Sequence, residues 1–556
     1  MRYLILLFVF ATLIFQKSSA QENLPELHRP LNIPPVLSGN FGELRSNHFH
    51  SGIDFKTQGR TGFKIHCAAD GYVSRILVSP WGFGRAVYVT HPQLGLVTVY
   101  GHLESFSSKI NKIVVEEQYR RETFRIDMEF KEGEIPVKKG EVIALSGNAG
   151  SSGGPHLHMD VRDLATGDAL DPMNYFKHLF KDNVRPEVRS IALYPHGGVV
   201  EDTTIASFRT PQELSQPFTA WGRVAPAIKA YDKMPGANNI YGIKYLSLLV
   251  DGQQVYHRVI DRFSFDVTRG VNTMIEYSDY ANNGWMMTTY VPKAHILGDM
   301  VTTTIPNGII DINEERDYSC RFILSDEHGN TTNVDFIIKG KRQPIPKTEH
   351  IGTKFYCTGD NTYNLNGLKV FIPQGALYDD IYFNVVTTSL DGYFSDVHKV
   401  GDTGIALHRN YDMAITLTRD TQPDKAKYCL VRINGNRKSA VTAKYENGVM
   451  KASINRFGRY AVTIDKTAPK IVPSRQKRWA RNGKVSYKIS DNLSGIESYR
   501  GEIDGKWVMF EFDGKNALIS YKLESNRVKK GRSHKVKITV TDACGNTSTR
   551  TDTFTW

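Results

Sequence analysis

From about residue 183 onward, the chain consists of short runs of β-branched and aromatic residues separated by Asp, Asn, Gly and Ser. One run, over 245–250, directly precedes Asp251-Gly252, and another covers 535–540. Runs of this length between turn-forming residues are typical of β-strands joined by tight turns. The pattern therefore predicts a mainly β chain with modules of the β-sandwich type.

An internal repeat divides this β-rich part of the chain. Two units open with similar Asp- and Pro-containing sequences, at Asp182 and Asp465, and each later carries Gly-Ile nine residues before Asp-Gly. Each unit closes with an Asp-x-x-Gly-Asn-Thr turn, which starts at Asp326 in the first unit and at Asp542 in the second. The repeat predicts two copies of one β domain, the first of which contains insertions.

The repeat and the change in composition give a plan of the domains. A first domain rich in Gly and His spans 33–182, and immunoglobulin-like or fibronectin-like copies span 183–345 and 465–556. A β-rich unit without the repeat, over 346–464, separates the copies. The repeated Asp and Asn residues are compatible with calcium binding and with hairpin turns. Turns are favoured, because these residue types form them without any ligand.

The first twenty residues predict export. A basic start, an apolar run over 3–15 and small residues at Ser18 and Ala20 form the pattern of a secretory signal cleaved before Gln21. The apolar run is shorter than the roughly 20 residues that a membrane span needs. No later stretch is long and apolar enough for a transmembrane segment, so we expect an exported mature chain in the periplasm, the cell envelope or the exterior.

The formal net charge of +12 is concentrated in the last domain. Residues 466–556 hold 19 Lys and Arg against 9 Asp and Glu, whereas 21–465 hold equal numbers of both signs. The basic runs lie at 475–478 and 527–532. Nucleic acid is a poor candidate partner for an exported chain. We therefore hypothesise that this module holds the protein on an anionic envelope surface.

The first domain contains three histidine motifs. His50 precedes Asp54 by four residues, His102 ends a β-branched run, and His156-Leu-His158 opens an alternating run typical of a strand with one polar face. Two histidines and one carboxylate would leave a zinc ion with an open position for water. Further histidines can transfer protons at neutral pH. Each motif alone is weak evidence, but their occurrence in one domain favours a metal site.

The order of these motifs resembles the lysostaphin/LytM-type zinc endopeptidases, peptidase family M23. The resemblance covers about 39–165 and leaves out the β modules. It is carried by three segments: His50-x-x-x-Asp54, Tyr100-Gly-His102-Leu, and the Gly-rich run from Gly147 to His156-Leu-His158. No His-Glu-x-x-His or Cys-x-x-Cys motif competes with this assignment.

The resemblance implies a fold, an activity and a set of site residues. The expected architecture is a small antiparallel-sheet zinc peptidase domain with an open groove, followed by about three β-sandwich-like modules. Family members cut peptide cross-links of bacterial cell walls, which implies a zinc metalloendopeptidase and peptidoglycan hydrolase with one catalytic Zn²⁺. The residues that match the zinc ligands are His50, Asp54 and His158, and those that match the catalytic histidines are His102 and His156.

The sequence departs from the simple family pattern in two places. A highly charged insertion at about 107–134 separates His102 from the later motif, and it fits a solvated surface hairpin or helix as well as a groove wall or lid. Asp160 stands where many relatives have Glu, and it could orient a metal ligand.

Two alternative functions remain open at this point. A catalytically silent relative could act as a scaffold or as an activator of other cell-wall hydrolases, although all five key positions are present. A surface adhesin could use the β modules for binding, although these modules contain no obvious aromatic binding signature.

Overall fold

Residues 24–556 are described here by a computed structural model. The predicted signal sequence, 1–20, lies outside these residues. The described chain is mainly β, and nearly all its strands pair antiparallel, which confirms the predicted fold class. The search for a membrane-spanning helix over 24–556 finds none with the required length and apolar character.

The first domain is built on a large antiparallel sheet and a smaller second sheet. Its strands are β1 (Leu37–Gly39), β2 (Leu44–Arg45), β3 (His48–Phe49), β4 (Ile53–Lys56), β5 (Lys64–His66), β6 (Gly71–Val78), β7 (Arg85–His91), β8 (Leu96–Gly101), β9 (Ser105–Phe106), β10 (Ile126–Glu129), β11 (Pro136–Val137), β12 (Val142–Leu145), β13 (His156–Asp163) and β14 (Ala169–Leu170). Its helices are α1 (Ser108–Arg121) and α2 (Met173–Phe176). The large sheet has the order β1-β4-β13-β8-β7-β6-β10, and the small sheet has the order β5-β12-β9.

Strand β13 lies in the middle of the large sheet, between β4 and β8. The alternation predicted from the sequence places Leu157, Met159 and Val161 in the core, where all three are fully buried. The other face of the strand carries the histidines. The register sets His158 opposite Asp54 on one side and Gly101 on the other, so that the motifs predicted to form one site meet on neighbouring strands.

The second domain is built on one large sheet, and its hydrophobic core is continuous with that of the first domain. Its strands are β15 (Glu187–Val200), β16 (Ser207–Arg209), β17 (Phe218–Tyr231), β18 (Tyr245–Val250), β19 (Gln253–Val259), β20 (Arg262–Phe263), β21 (Met287–Thr288), β22 (Val301–Thr303), β23 (Ile310–Ile312), β24 (Asp317–Ser325) and β25 (Thr331–Gly340), and its helix is α3 (Tyr280–Asn283). The sheet order is β16-β15-β17-β25-β24-β18-β19-β22, with β17 and β25 parallel. Strand β20 pairs with β14 of the first domain, and a single hydrophobic core spans both domains.

The third domain packs two five-stranded sheets within 352–464 around its own core. Its strands are β26 (Thr353–Phe355), β27 (Asn361–Leu365), β28 (Leu368–Ile372), β29 (Ile381–Phe383), β30 (Val385–Thr388), β31 (Val397–Val400), β32 (Tyr411–Thr416), β33 (Tyr428–Asn434), β34 (Arg437–Val441), β35 (Lys444–Glu446), β36 (Val449–Ile454) and β37 (Gly458–Ile464). The sheets have the orders β27-β28-β32-β36-β35 and β30-β31-β37-β33-β34, and β26 pairs with β29.

The fourth domain is a sandwich of two four-stranded sheets within 465–556. Its strands are β38 (Lys470–Pro473), β39 (Lys484–Ser490), β40 (Ile496–Ile503), β41 (Lys506–Trp507), β42 (Glu511–Asp513), β43 (Leu518–Lys522), β44 (Ser533–Asp542) and β45 (Thr547–Thr555), and its helix is α4 (Trp479–Asn482). The sheets have the orders β38-β39-β43-β42 and β41-β40-β44-β45.

The two repeat copies share a strand order. The series β19-β18-β24-β25 in the second domain corresponds to β41-β40-β44-β45 in the fourth. In each copy the Asp-Gly pair makes the hairpin turn of the first two strands, with φ values of 50° at Asp251 and 51° at Asp504. A left-handed Asp followed by Gly is what a two-residue turn between twisted strands requires. The sequence repeat is thus a repeat of structure.

Candidate active site

Three side chains predicted as metal ligands converge on one point of the large sheet. His50 Nε2 lies 3.1 Å from Asp54 Oδ1 and 3.0 Å from His158 Nδ1, and the last two atoms are 2.9 Å apart. All three residues are buried. A tetrahedral zinc ion with bonds of about 2.0–2.1 Å would space its ligands roughly 3.3 Å apart, so this triangle of donor atoms is close to the size that zinc requires.

Gly52 allows the His50 segment to lie against β13. A Cβ atom at this position would lie 2.3 Å from the carbonyl oxygen of Met159, closer than side chains and backbone can approach. Glycine at this position therefore permits a close approach between two segments, and the approach brings His50 and Asp54 to His158.

The outer nitrogens of both ligand histidines are held by oxygen acceptors. His50 Nδ1 lies 2.7 Å from the carbonyl oxygen of Asn40, and His158 Nε2 lies 2.6 Å from Asp160 Oδ1. Because these oxygens only accept hydrogen bonds, each contact assigns the proton to the outer nitrogen. The inner nitrogen of each ring then faces Asp54 and can offer its lone pair to a metal ion.

The charges around the triangle fit a bound cation. Burial disfavours the imidazolium form of His158, but Asp160 and Asp54 outweigh burial and raise the pKa of His158 to about 9. Burial also opposes the ionised form of Asp54, yet the surrounding histidines hold its pKa well below the usual range. The pKa of His50 is lowered by burial. The pocket thus combines an ionised carboxylate with imidazoles. A metal ion would take the place of the second proton of His158, the one on Nδ1, and the proton on Nε2 would remain.

Asp160 is the centre of a buried network behind His158. The side chain is fully buried, and its Oδ1 also accepts a hydrogen bond of 2.9 Å from Ser51 Oγ. Its Oδ2 accepts from Arg162, with Nη2 at 2.5 Å. Although burial acts in the opposite direction, His158 and Arg162 lower the pKa of Asp160 to about 2. Asp160 therefore fixes the orientation of the His158 ring.

The two predicted catalytic histidines flank the triangle. His102 and His156 have ring centroids 4.7 Å apart, and His156 Nε2 lies 3.4 Å from Asp54 Oδ1. Their Nδ1 atoms donate to the carbonyl oxygens of Ala149 and Gly154, each at 2.9 Å, which places the lone pair of each ring on Nε2. Burial, then the neighbouring His158 and His156, lower the pKa of His102 to about 3. The structure thus brings all five predicted site residues together.

Several residues of the site were not predicted from the sequence. Arg45 donates to Asp54 Oδ2 at 2.8 Å, and Ser51 and Arg162 hold Asp160. Arg162 could have been found, because it lies two positions after Asp160 on the same strand and so on the same face. The contribution of Asn40 comes from a main-chain carbonyl, which no residue type reveals.

The charged insertion is a contact surface for the fourth domain. It folds into α1 and β10, and Tyr119 of this helix meets Trp507 edge to face, with ring centroids 5.0 Å apart. Just beyond the helix, Glu122 Oε2 lies 2.7 Å from Arg500 Nη1. The sequence was compatible with two alternatives for this insertion, a solvated surface hairpin or helix and a groove wall or lid. The helix is present, and its end is covered by a domain more than 370 residues further along the chain.

The fourth domain also reaches the loop that orients the histidines. Lys515 Nζ donates to the carbonyl oxygens of Asn148 at 2.5 Å and of Ser152 at 2.9 Å, and to Asn148 Oδ1 at 3.1 Å. The preceding Gly514 packs on the Trp81 indole so closely that a Cβ atom would lie 2.4 Å from it. The loop between Asn148 and Ser152 contains Ala149, whose carbonyl holds His102. Lys515 of the fourth domain therefore bridges the two ends of the loop that positions His102.

Comparison with curated proteins finds relatives of the first domain. Over 124 residues, 22% of this chain, it is 33% identical to a Haemophilus influenzae protein described as an uncharacterised metalloprotease. Over 152 residues, 26% of this chain, it is 29% identical to a DD-carboxypeptidase/endopeptidase of Neisseria meningitidis. The matches span 20% and 28% of these relatives, so the chain covers about a quarter of their length.

Solved structures match the same region. The catalytic domain of lysostaphin from Staphylococcus simulans is 22% identical and covers 26% of this chain and 92% of its own, with a TM-score of 0.20. The catalytic domain of the M23 protein EnpA from Enterococcus faecalis is 26% identical and covers 25% of this chain and 89% of its own, with a TM-score of 0.19. In the third domain, a family described as a Zu5-like domain matches 352–465.

These comparisons define the class of the first domain. The N-terminal quarter of the chain resembles metalloproteases, and the resemblance to peptidase family M23 that the motif order predicted is confirmed there. The other three quarters lie outside that resemblance, and within them residues 352–465 are similar to the family described as a Zu5-like domain.

Proposed function

We propose that the protein is an exported zinc endopeptidase that hydrolyses peptide cross-links of bacterial peptidoglycan. The observation that carries this proposal is the convergence of His50, Asp54 and His158 beside His102 and His156. The metalloprotease relatives of the first domain support it, and the Neisseria relative is described as acting as a carboxypeptidase and endopeptidase.

His50, Asp54 and His158 would hold the zinc ion through Nε2, Oδ1 and Nδ1. When bound, zinc acidifies a water molecule and polarises a carbonyl group. Asn40 and Asp160 fix the two imidazole rings, so that the ligand atoms need little reorganisation.

His102 and His156 would move protons and stabilise the charge that develops on the scissile carbonyl. Both rings are fixed through Nδ1–H, and their Nε2 atoms can accept a proton or, once protonated, donate a hydrogen bond. Burial and the neighbouring His158 and His156 lower the pKa of His102, which keeps this ring neutral at neutral pH with its lone pair on Nε2.

The proposed location and partner follow from the two ends of the chain. The predicted signal over 1–20 would export the protein to the periplasm or envelope. The runs 475–478 and 527–532 of the basic last domain are largely exposed, and they would bind an anionic envelope surface. Such binding should weaken as the salt concentration rises.

The proposal is tested with purified 21–556 on isolated peptidoglycan. The wild type should contain one zinc ion per chain and release muropeptides. His158→Ala should lose both zinc and activity, whereas His102→Ala should retain zinc and lose activity. His48→Ala, an exposed histidine of the same domain, is the matched control and should change neither.

Two outcomes would contradict the proposal. Wild-type protein that binds zinc but releases no muropeptides would favour a silent scaffold or an activator of other hydrolases. Cleavage by wild type that survives in both histidine variants would show that the reaction takes place elsewhere in the chain.

A further inference from the structure

Three aspartates meet at the same place in each repeat copy. In each set, one oxygen of every carboxylate lies within 4.8 Å of the other two. Each triad lies at the end of the β domain where the chain enters. One aspartate comes from the opening segment, one directly follows a strand (β17 or β39), and one lies at the last hairpin turn (β24–β25 or β44–β45). The first triad is Asp182, Asp232 and Asp326, and the second triad is Asp465, Asp491 and Asp542.

The two triads correspond in their contacts as well as in their positions. The turn aspartates accept from the side-chain amides of Asn330 and Asn546, at 2.7 and 2.8 Å. The same two amides also reach the carbonyl oxygens of the opening aspartates, at 3.3 and 3.1 Å. Both opening aspartates accept from the backbone N–H two residues later. The chain thus contains the same arrangement of carboxylates twice.

Turn formation does not account for Asp232, the third aspartate of the first triad, and at Asp491 it engages only Oδ2, which accepts from the backbone N–H groups of Leu493 and Gly495. The sequence favoured turns over calcium for the repeated Asp residues, and backbone donors do satisfy the turn aspartates. Asp232, however, is only 5% exposed, and its Oδ1 finds no hydrogen-bond donor within 24–556. Asp491 Oδ1 is a buried atom in the same situation in that range. An acceptor of this kind, repeated at equivalent positions, needs a partner.

Positive side chains do not supply that partner. Within the described part of the chain, no Lys, Arg or His nitrogen lies within 4.0 Å of a carboxylate oxygen of either triad. Lys244 is near the first triad, but its ammonium group is held by Asp171 and Glu327 at 2.7 Å each. Burial, together with the carboxylates of Asp326 and Asp182, raises the pKa of Asp232 to about 8. Without a cation, the arrangement is electrostatically costly.

We propose that each triad binds one calcium ion. The three donors of each triad are carboxylate oxygens, which hard divalent cations prefer, and carboxylates from separate loops suit the flexible coordination of Ca²⁺. His328 also lines the cavity of the first triad, and its Nε2 has no hydrogen-bond partner in 24–556. Ligands at the usual 2.3–2.6 Å from one Ca²⁺ can be roughly 5 Å apart, so oxygens within 4.8 Å of one another can share the ion. The three aspartates of the first triad also line a cavity of about 20 Å³, which is large enough for an ion.

Both sites lie at junctions between domains. The cavity of the first triad is also lined by Leu37 and Asn40 of the first domain, and the Asn40 carbonyl holds His50. At the second triad, Asp465 N donates to the carbonyl oxygen of Lys427 in the third domain, and Lys427 Nζ donates to that of Cys544. Each calcium ion would therefore fix a repeat copy to the domain before it. This inference stands apart from the proposed peptidase activity.

Calcium binding to zinc-loaded 21–556 tests the inference directly. Equilibrium dialysis against radioactive Ca²⁺, in a buffer that contains no other divalent metal ion, should give two bound calcium ions per chain. Asp232→Asn and Asp491→Asn should each remove one site, by weakening it at least about tenfold. Asp335→Asn is the matched control, because this exposed aspartate pairs with Arg321, and it should keep both sites.

Thermal melting distinguishes a cation site from a purely structural role. Without calcium, Asp232→Asn and Asp491→Asn should melt at the wild-type temperature or above it, because an uncharged amide is at least as compatible as a carboxyl group with the two neighbouring carboxylates. With calcium, both should melt below the wild type. Fewer than two bound ions in the wild type, variants already destabilised without calcium, or displacement of Ca²⁺ by an equal concentration of Mg²⁺ would overturn the proposal.

Discussion

Lys515 links the fourth domain to the loop between Asn148 and Ser152, and under the proposed function its removal is expected to impair cleavage without removing zinc. The ammonium group bridges the carbonyl oxygens at both ends of the loop between Asn148 and Ser152. Ala149 in that loop holds His102 through its carbonyl, whereas the ligands His50 and His158 are held elsewhere. Lys515→Ala should therefore affect His102, the proposed catalytic histidine, and spare the proposed metal ligands.

The size of the effect follows from the exposure of the lysine. The side chain makes three contacts with oxygens, but it is exposed, so solvent weakens each contact. A total of about 1 kcal/mol for the bridge corresponds to roughly a fivefold change in the population of the ordered loop. We expect kcat on a soluble cross-linked peptide to fall by about that factor, with little change in KM.

The assay compares Lys515→Ala with Lys506→Ala, an exposed lysine of the same domain that is the first residue of β41. Steady-state kinetics and zinc content are measured for both variants. If the last domain serves only as an anchor on an anionic surface, Lys515→Ala will cleave soluble peptides as fast as the wild type. That result, or an equal loss in Lys506→Ala, would refute the reasoning.

Three further substitutions test the packing around the site and in the second domain. Asp160→Asn should lower zinc affinity about 10- to 100-fold, measured by competition with a chelator, and unchanged affinity would contradict its orienting role. Gly52→Ala should cost about 1–3 kcal/mol in denaturant unfolding, because a Cβ atom meets the Met159 carbonyl at 2.3 Å, and wild-type stability would contradict this account. Arg258→Met should stabilise the chain by about 1–2 kcal/mol. The reason is that Arg258 is buried and two of its guanidinium nitrogens, Nε and Nη1, have no hydrogen-bond partner in 24–556. A lower melting temperature of the variant would contradict that view.

The sequence predicts which residues lie together at the candidate site, because strand alternation and motif order constrain their positions directly. His156, His158 and Asp160 alternate with core residues, so their common face follows from the period of a β-strand. The Asp-Gly pairs and the repeated closing turns likewise predict hairpins, since few residue types adopt the backbone angles required. Local chemistry of this kind can be read from the sequence alone.

Long-range contacts could not be predicted in this way. The charge pattern of the insertion shows a polar helix, but not that Tyr119 packs on Trp507 or that Arg527 lies over the same ring. Nothing near Lys515 marks it as a partner of Asn148. The two aspartate triads were visible as repeated residues, but the distances between the three carboxylates depend on the folded domain.

The link between Lys515 and Asn148 joins residues 367 positions apart, which also sets an order of events during synthesis. Domains fold largely as they emerge, the N-terminal ones first. The first domain can therefore assemble His50, Asp54 and His158 long before the lysine that closes the loop beside them has been made. The loop between Asn148 and Ser152 would become fully ordered only after the fourth domain has folded. A protease cut that released this domain would leave the loop without the Lys515 bridge again.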